Sequence, residues 1–353
     1  MKKIRVGVVG LGQIAQIAHL PYLRELPGFE IGAVCEISEK VLTAIGDQYH
    51  IKERYLDYHD LVKQKDLDAV LITSHEHADI SVAAMNEGKH VFVEKPMAFN
   101  LEQADKMVEA AKKNKVKLMV AYMKRYDPGY EYALPLFKSM KDIHLIRVHN
   151  FAGAFYMNTE IYDLFNPSDV LPDKSKSMQE KQRADIIAAI GKERADFVDS
   201  YSMLLYLCTH DAIVLHEAFG SPTDILHVDI LKKRFVIAEL AYGENTRCIW
   251  ETGLVTDRPD WDEQITAYSG ERTVEVRFPF PYVKNLPTIV EVRELEGKVN
   301  VVKTVEASFD EAFKREWRHF YECVTQNKEP ITNGEKGRRD IAFMIDLIKA
   351  ASL

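Results

Sequence analysis

The chain opens by alternating short β-branched runs with longer segments that place an apolar residue every third or fourth position. In the first third, Lys3–Val9, Glu30–Cys35, Ala69–Thr73, His90–Val93 and Lys117–Ala121 predict strands. Between them, Ser38–Tyr49, Ala78–Glu87 and Leu101–Lys113 carry helical spacing. Continuous apolar strands that alternate with helices imply a doubly wound parallel sheet covered on both faces. Asn100, with Gln103 three residues on, has the spacing of a helix N-cap and capping box.

The rhythm changes after Tyr126-Asp127-Pro128-Gly129. Leu145–Phe151, Ile225–Ile230, Val236–Ala241, Thr246–Val255, Gln264–Tyr268, Arg272–Phe278, Ile289–Glu294 and Lys298–Lys303 read as strands, most of them with only turn residues between. That pattern predicts an open, largely antiparallel sheet in a second, α+β domain. Asp199–Ala218 reads as a long helix before most of these strands, and Asp310–Thr325 and Gly337–Ala350 as helices after them. The expected domains are 1–123 and 124–353. Residues 157–198 interrupt the second with a polar segment containing Pro167, Pro172 and an expected helix at Ala184–Arg194. Such an insertion reads as a lid, an oligomer contact or a disordered loop.

Composition narrows the partners. The 353 residues carry 46 basic and 54 acidic side chains, a net charge of −8, interspersed without a basic stripe. Nucleic acid is therefore a poor candidate. No run is apolar and long enough to span a bilayer. The apolar N-terminal stretch looks superficially like a signal peptide, but Gln13, Gln16 and His19 interrupt it. Cys35, Cys208, Cys248 and Cys323 are scattered without metal-ligand spacing, so a reduced, cytoplasmic setting and no metal site are expected.

Candidate chemistry begins where the strand Ile4–Val9 runs into Gly10-x-Gly12-x-x-Ala15 and then a helix. Gly10 permits a tight turn, Gly12 lets backbone approach a pyrophosphate, and Ala15 keeps the helix close to its strand, its N–H groups aimed at the phosphates. An ordinary glycine turn is the plainer alternative. Glu36 ends the second strand, where a carboxylate accepts from adenosine ribose hydroxyls and repels a 2′-phosphate. NAD is thus expected over NADP, although a solvated strand-end acid would read the same way. Glu94-Lys95-Pro96 follows the strand HVFV, at the sheet end where ligands of such folds sit. An ammonium there suits a developing oxyanion; a surface turn is the alternative.

With these features in order, the chain resembles the Gfo/Idh/MocA family of nicotinamide-dependent sugar and polyol oxidoreductases. GKHVFVEKPMAFNLEQA matches its most specific signature. Thr73-Ser74-His75-Glu76-His77-Ala78, AYMKRYDPGY and EWRHFYECVTQNKEPITNGEKGRRDI look like further family segments, so the likeness spans nearly everything outside 157–198. It implies a Rossmann first domain and a second domain for substrate and oligomer contacts. It also implies dinucleotide contacts from Gly10, Gly12, Gln13, Ile14, Glu36, Thr73, His75, His77, Glu94 and Lys95. The family brings a histidine, with an aspartate one turn earlier, to the nicotinamide on a second-domain helix. Here Leu204–Gly220 looks like that helix, His210 takes the histidine's place, and Tyr206 stands where the aspartate would be. Asp211 is adjacent to His210 but on another face. The implied catalytic set is Lys95, His210 and Tyr206, with Lys124, Arg125 and Tyr126 as substrate contacts or a solvated basic turn. A homo-oligomeric dehydrogenase or reductase of a sugar, cyclitol or polyol follows. An NAD-dependent glycosidase and a non-catalytic dinucleotide-binding regulator are the other readings.

Overall fold

A computed structural model of the chain, describing residues 2–154, 156–255 and 258–352, forms all five expected N-terminal strands. They are β1 (Ile4–Val9), β2 (Phe29–Cys35), β4 (Ala69–Ile72), β5 (His90–Val93) and β6 (Leu118–Val120). A two-residue strand, β3 (Arg54–Tyr55), joins them and is too short to leave a periodic signal. All six are parallel, in the order β3-β2-β1-β4-β5-β6. The order reverses beside β1, which creates a switch point between β1 and β4. Every residue of β4 is fully buried, as a strand covered on both faces requires.

The helices of this region are α1 (Leu20–Glu25), α2 (Glu39–Gln48), α3 (Tyr58–Val62), α4 (His77–Asn86) and α5 (Leu101–Asn114). Before α1 the chain makes a π turn, Ala15–His19. The cap of α5 forms: Asn100 Oδ1 accepts from Gln103 N at 2.9 Å. The return bond falls one residue early, with Phe99 N donating to Gln103 Oε1 at 2.9 Å.

The later strands are β7 (Ile143–Ala152), β8 (Asp224–Leu231), β9 (Phe235–Tyr242), β10 (Thr246–Leu254), β11 (Trp261–Ser269), β12 (Arg272–Arg277), β13 (Ile289–Glu296) and β14 (Val299–Glu306). They build one open sheet, β14-β13-β12-β11-β7-β10-β9-β8, antiparallel except where β7 meets β10. The α/β-plus-α+β architecture thus follows the hydrophobic pattern. Two helical readings need correction. The insertion helix runs Pro172–Ile190, with proline at its permissive first position. The stretch expected as one helix over 199–218 is an α-helix (Val198–Met203), a π turn (Leu204–Cys208) and a second α-helix (Thr209–Phe219).

The chain divides into two compact units. The first holds Met1–Ala121, Tyr162–Ala189 and Phe313–Ile341, and the second Tyr122–Ile161, Ile190–Ala312 and Ala342–Leu353. The C-terminal part of the first is anchored by Trp317, whose ring meets Phe92 at 4.5 Å and Phe29 at 5.1 Å. In the second unit, Trp250 of β10 stacks on Phe343 at 5.2 Å.

Candidate active site

In the first unit, Gly10 leaves β1 with φ +90°, and a Cβ there would lie 2.5 Å from the Ser74 backbone nitrogen. Only glycine fits where the loops after β1 and β4 touch. Thr73 fastens that contact, its Oγ1 donating to Gly10 O at 2.6 Å. A Cβ at Gly12, by contrast, would meet nothing within 4 Å. Gly12 and Gln13 are exposed and Ile14 is half-buried at the start of the first helical turn. Backbone N–H groups there have no partner further back in the helix.

Glu36 borders the same loop. Its Oε2 accepts from Leu11 N at 2.8 Å, and its Oε1 accepts from Ile37 N at 2.7 Å and Ser38 N at 3.1 Å. The carboxylate is therefore fixed beside the glycine turn. An open loop of N–H donors with a rigid acceptor at its edge fits the phosphates and ribose of a dinucleotide.

The Glu94-Lys95-Pro96 turn is held from behind. Glu94 is buried; its Oε1 lies 2.9 Å from His19 Nε2, and its Oε2 accepts from Lys95 N at 3.0 Å. Trp317 Nε1 donates to His19 Nδ1 at 3.1 Å. Indole can only donate, so His19 carries its proton on Nε2 and gives that bond to Glu94. Burial works to raise the Glu94 pKa, but the His19 bond and the Lys95 charge and N–H outweigh it and hold it below the usual value. His77 is also buried, with Nδ1 donating to Pro96 O at 2.6 Å, and burial lowers its pKa. It therefore braces the turn as a neutral ring. Lys95 is half-buried and His75 is exposed.

In the second unit, His210 opens the helix Thr209–Phe219 directly after the π turn. Its ring meets Tyr122 edge-on at 6.3 Å. Tyr206 is 38% exposed, whereas Asp211 is 2% exposed. Asp211 Oδ2 accepts from Asn150 Nδ2 at 2.9 Å, and its pKa is raised to about 6 by burial, against the opposing pull of Lys124. Lys124 is buried against Glu263, its ammonium 5.1 Å from the Trp261 ring and 5.0 Å from that of Phe278. Thr252 Oγ1 lies 3.1 Å from Cys208 Sγ and donates to Asn150 O at 2.8 Å. Tyr126 is buried, and Arg125 Nε stands 3.5 Å from Glu217 Oε2. Among the described residues, no group of three or more His, Cys, Asp or Glu could hold a metal ion, and no helix is long and apolar enough to cross a membrane.

Residues 4–122 match the model of an oxidoreductase family with an NAD-binding Rossmann fold. That match places residues 4–122 in the Gfo/Idh/MocA oxidoreductase family. Over 132 residues it is 41% identical to an inositol 2-dehydrogenase of Salmonella paratyphi B, a match covering 36% of this chain and 39% of that relative. It is 26% identical to an inositol 2-dehydrogenase/D-chiro-inositol 3-dehydrogenase of Lactiplantibacillus plantarum, across 93% of this chain and 85% of that one. An aldose-aldose oxidoreductase from Caulobacter crescentus, solved with glycerol, shares the fold. Its TM-score is 0.75 at 18% identity, over 99% of this chain and 98% of that chain.

In this Rossmann region Gly10, Gly12, Thr73 and Glu36 come together at one loop. Glu94 and His77 turn inward and position the Lys95 turn. Lys124 and Tyr126 are buried, and what lies around Lys124 is a polar cluster of Asp211, Asn150, Glu263, Cys208 and Thr252. Sequence reasoning found none of that cluster: it set Asp211 aside as lying on another face from His210, and read Cys208 only as one of four scattered cysteines. Its members come from separate strands and helices, with no shared spacing to betray them.

Proposed function

We propose that this chain is an NAD-preferring oxidoreductase that moves hydride between a nicotinamide and the carbinol carbon of a sugar, cyclitol or related polyol. The carrying observation is the Glu36 carboxylate, fixed by Leu11 N at 2.8 Å beside the open Gly12. The inositol dehydrogenases among its relatives support the substrate class.

When bound, the nicotinamide supplies the hydride acceptor or donor. The glycine loop and the first helical turn would hold the pyrophosphate, and Glu36 the adenosine ribose. His210, as a neutral imidazole, accepts the substrate hydroxyl proton. Lys95, its backbone set by Glu94 and His77, stabilises the oxyanion that develops as the proton leaves. Tyr206 offers a hydroxyl where the family has a carboxylate, so it donates a hydrogen bond rather than raising the basicity of His210. The four cysteines, all buried and free, suit the cytoplasm. A homo-oligomer accords with the apolar residues left outside on the open sheet, such as Ile237 and Leu295.

The test is a screen of cyclitols, aldoses and sugar acids with NAD and NADP, following absorbance of the reduced cofactor. With a substrate in hand, Lys95→Ala should lower turnover about a hundredfold or more while leaving dinucleotide affinity near wild type. Glu36→Ser should narrow the NAD preference. Clearly tighter NADP binding by the wild type would overturn the cofactor assignment. Glycoside cleavage without net cofactor reduction would point to the glycosidase reading, and dinucleotide binding with no turnover to the regulator.

A further inference from the structure

Much of the insertion, Tyr162–Ala189, belongs to the first unit, and its bonds follow the C-terminal ends of the parallel strands. Beyond β1, Gln16 and Phe165 exchange two hydrogen bonds: Gln16 Nε2 donates to Phe165 O and Phe165 N donates to Gln16 Oε1, each at 2.9 Å. Beyond β2, Ser38 Oγ donates to Asp169 Oδ1, and Lys40 N donates to Asp169 Oδ2 at 3.0 Å. Lys40 Nζ reaches Ser168 Oγ at 3.2 Å. Beyond β4, Lys181 Nζ meets Glu76 at 2.7 Å and Asp79 at 3.0 Å. Beyond β5, Gln103 Nε2 donates to Asp185 Oδ2 at 2.9 Å. The segment is a strap along the edge of the sheet where open α/β folds bind their ligands.

We propose that this strap completes the dinucleotide site, and that Asp169 is a specificity-determining residue acting with Glu36 against a 2′-phosphate. The inference rests on the dinucleotide reading above. Ser38 links the two carboxylates: its N–H donates to Glu36 and its hydroxyl to Asp169. Both negative charges therefore stand at the end of β2, where the acidic residue of such folds meets the adenosine ribose. The donors a phosphate would recruit there are already engaged. Asp169 takes the Ser38 hydroxyl and the Lys40 N–H, and Ser168 holds the Lys40 ammonium. The Ser38 bond also keeps the Asp169 carboxyl below its ordinary pKa, so its charge persists at neutral pH. A ribose hydroxyl carries no charge to repel and needs only an acceptor, which Glu36 supplies. A dianionic phosphate at the same place meets like charge from two sides, one of them contributed from 131 residues away in sequence.

The full-length protein and three variants test this by titration with NAD and with NADP at low and moderate salt. Asp169→Asn keeps the size and an acceptor oxygen while removing the charge. It should bind NADP about tenfold more tightly with NAD affinity within about twofold, and the gain should shrink as salt rises. Asp169→Ala, which also releases the latch, should show at least the same change in ratio. Asp169→Glu keeps the charge and should keep the wild-type ratio. An unchanged NADP-to-NAD ratio in Asp169→Asn overturns the proposal alone. Equal gains for both dinucleotides also overturn it, because the strap would then act only as a barrier. Wild type that binds neither dinucleotide overturns the underlying reading and this inference together.

Discussion

Glu94→Gln tests the framework behind Lys95. The substitution preserves shape and removes one buried charge. In the native protein that carboxylate accepts from His19 Nε2 at 2.9 Å and from Lys95 N at 3.0 Å. Hydrogen bonds to a charged group contribute about 1.5–3 kcal/mol each, against about 1 kcal/mol for neutral pairs. A glutamine whose oxygen keeps the His19 bond turns its amide NH2 toward the Lys95 N–H, donor against donor. One bond is weakened by about 1 kcal/mol, and the other is lost at about 2 kcal/mol. Relief of the buried charge offsets part of this, leaving a net cost of about 2 kcal/mol. Turnover should fall with it, because the Lys95 backbone loses its anchor, while dinucleotide affinity stays close to wild type.

The assay is urea denaturation followed by tryptophan fluorescence in a Trp250→Phe, Trp261→Phe background, where Trp317 alone reports on the first unit. The pH dependence carries a sign. The folded pKa of Glu94 lies below the ordinary glutamate value of 4.5, so its stabilisation is present above that pH and is lost as pH falls through the folded value. The gap between wild type and Glu94→Gln should accordingly be widest near neutrality and close in acid. A gap under about 0.5 kcal/mol at neutral pH, the range of an ordinary surface change, would refute the reasoning. So would a gap that does not vary with pH.

Three further outcomes are expected. If Tyr206 acts as proposed, Tyr206→Phe should lower turnover at least about tenfold with dinucleotide affinity unchanged, since it keeps the ring and removes only the hydroxyl; unchanged kinetics would assign Tyr206 to packing. Gly10→Ala should cost about 2–3 kcal/mol in denaturant titration and abolish dinucleotide binding, because its Cβ would sit 2.5 Å from Ser74 N at φ +90°. Glu311 has its pKa raised to about 7, by burial and then by Asp127. Its share of stability is complete below the unfolded value and is lost as pH rises through about 7. Glu311→Gln should flatten the decline in unfolding free energy between pH 5 and 8 by about 1–2 kcal/mol after allowing for its partial exposure, read by urea titration at each pH; parallel curves would exclude it as the source.

The strands were legible because β-branched runs of four or more residues have few other uses, and β4 is buried along its whole length. Gly10 and Glu36 were legible because turn chemistry and strand ends are local. What stayed hidden depends on distant partners. Lys124 stands in a basic turn, and the partner that explains its burial, Glu263, lies 139 residues away. Glu94 looks like a ligand residue until His19, 75 residues earlier, is found against it. The strap escaped for another reason: it docks through polar side chains such as Asp169, Lys181 and Asp185, so no apolar stripe marks its contact face. Nor can apolar spacing distinguish a π turn from an α-helix within five residues, which is why both π turns were missed.

Those two π turns stand beside the candidate chemistry. A π turn gives up ordinary helical hydrogen bonding, and such turns recur at functional sites because they shift where the following side chains point. The first, Ala15–His19, begins three residues after Gly12 and ends on the histidine that fixes Glu94. One polar chain, Trp317 to His19 to Glu94 to Lys95 N, thus ties the helix of the glycine loop to the Lys95 turn. The second, Leu204–Cys208, contains Tyr206 and ends two residues before His210. Tyr206, which stands where the resemblance would put an aspartate, therefore sits inside the π turn itself. Tyr206→Phe removes the hydroxyl and leaves the turn that positions it, so its outcome reports on the hydroxyl alone.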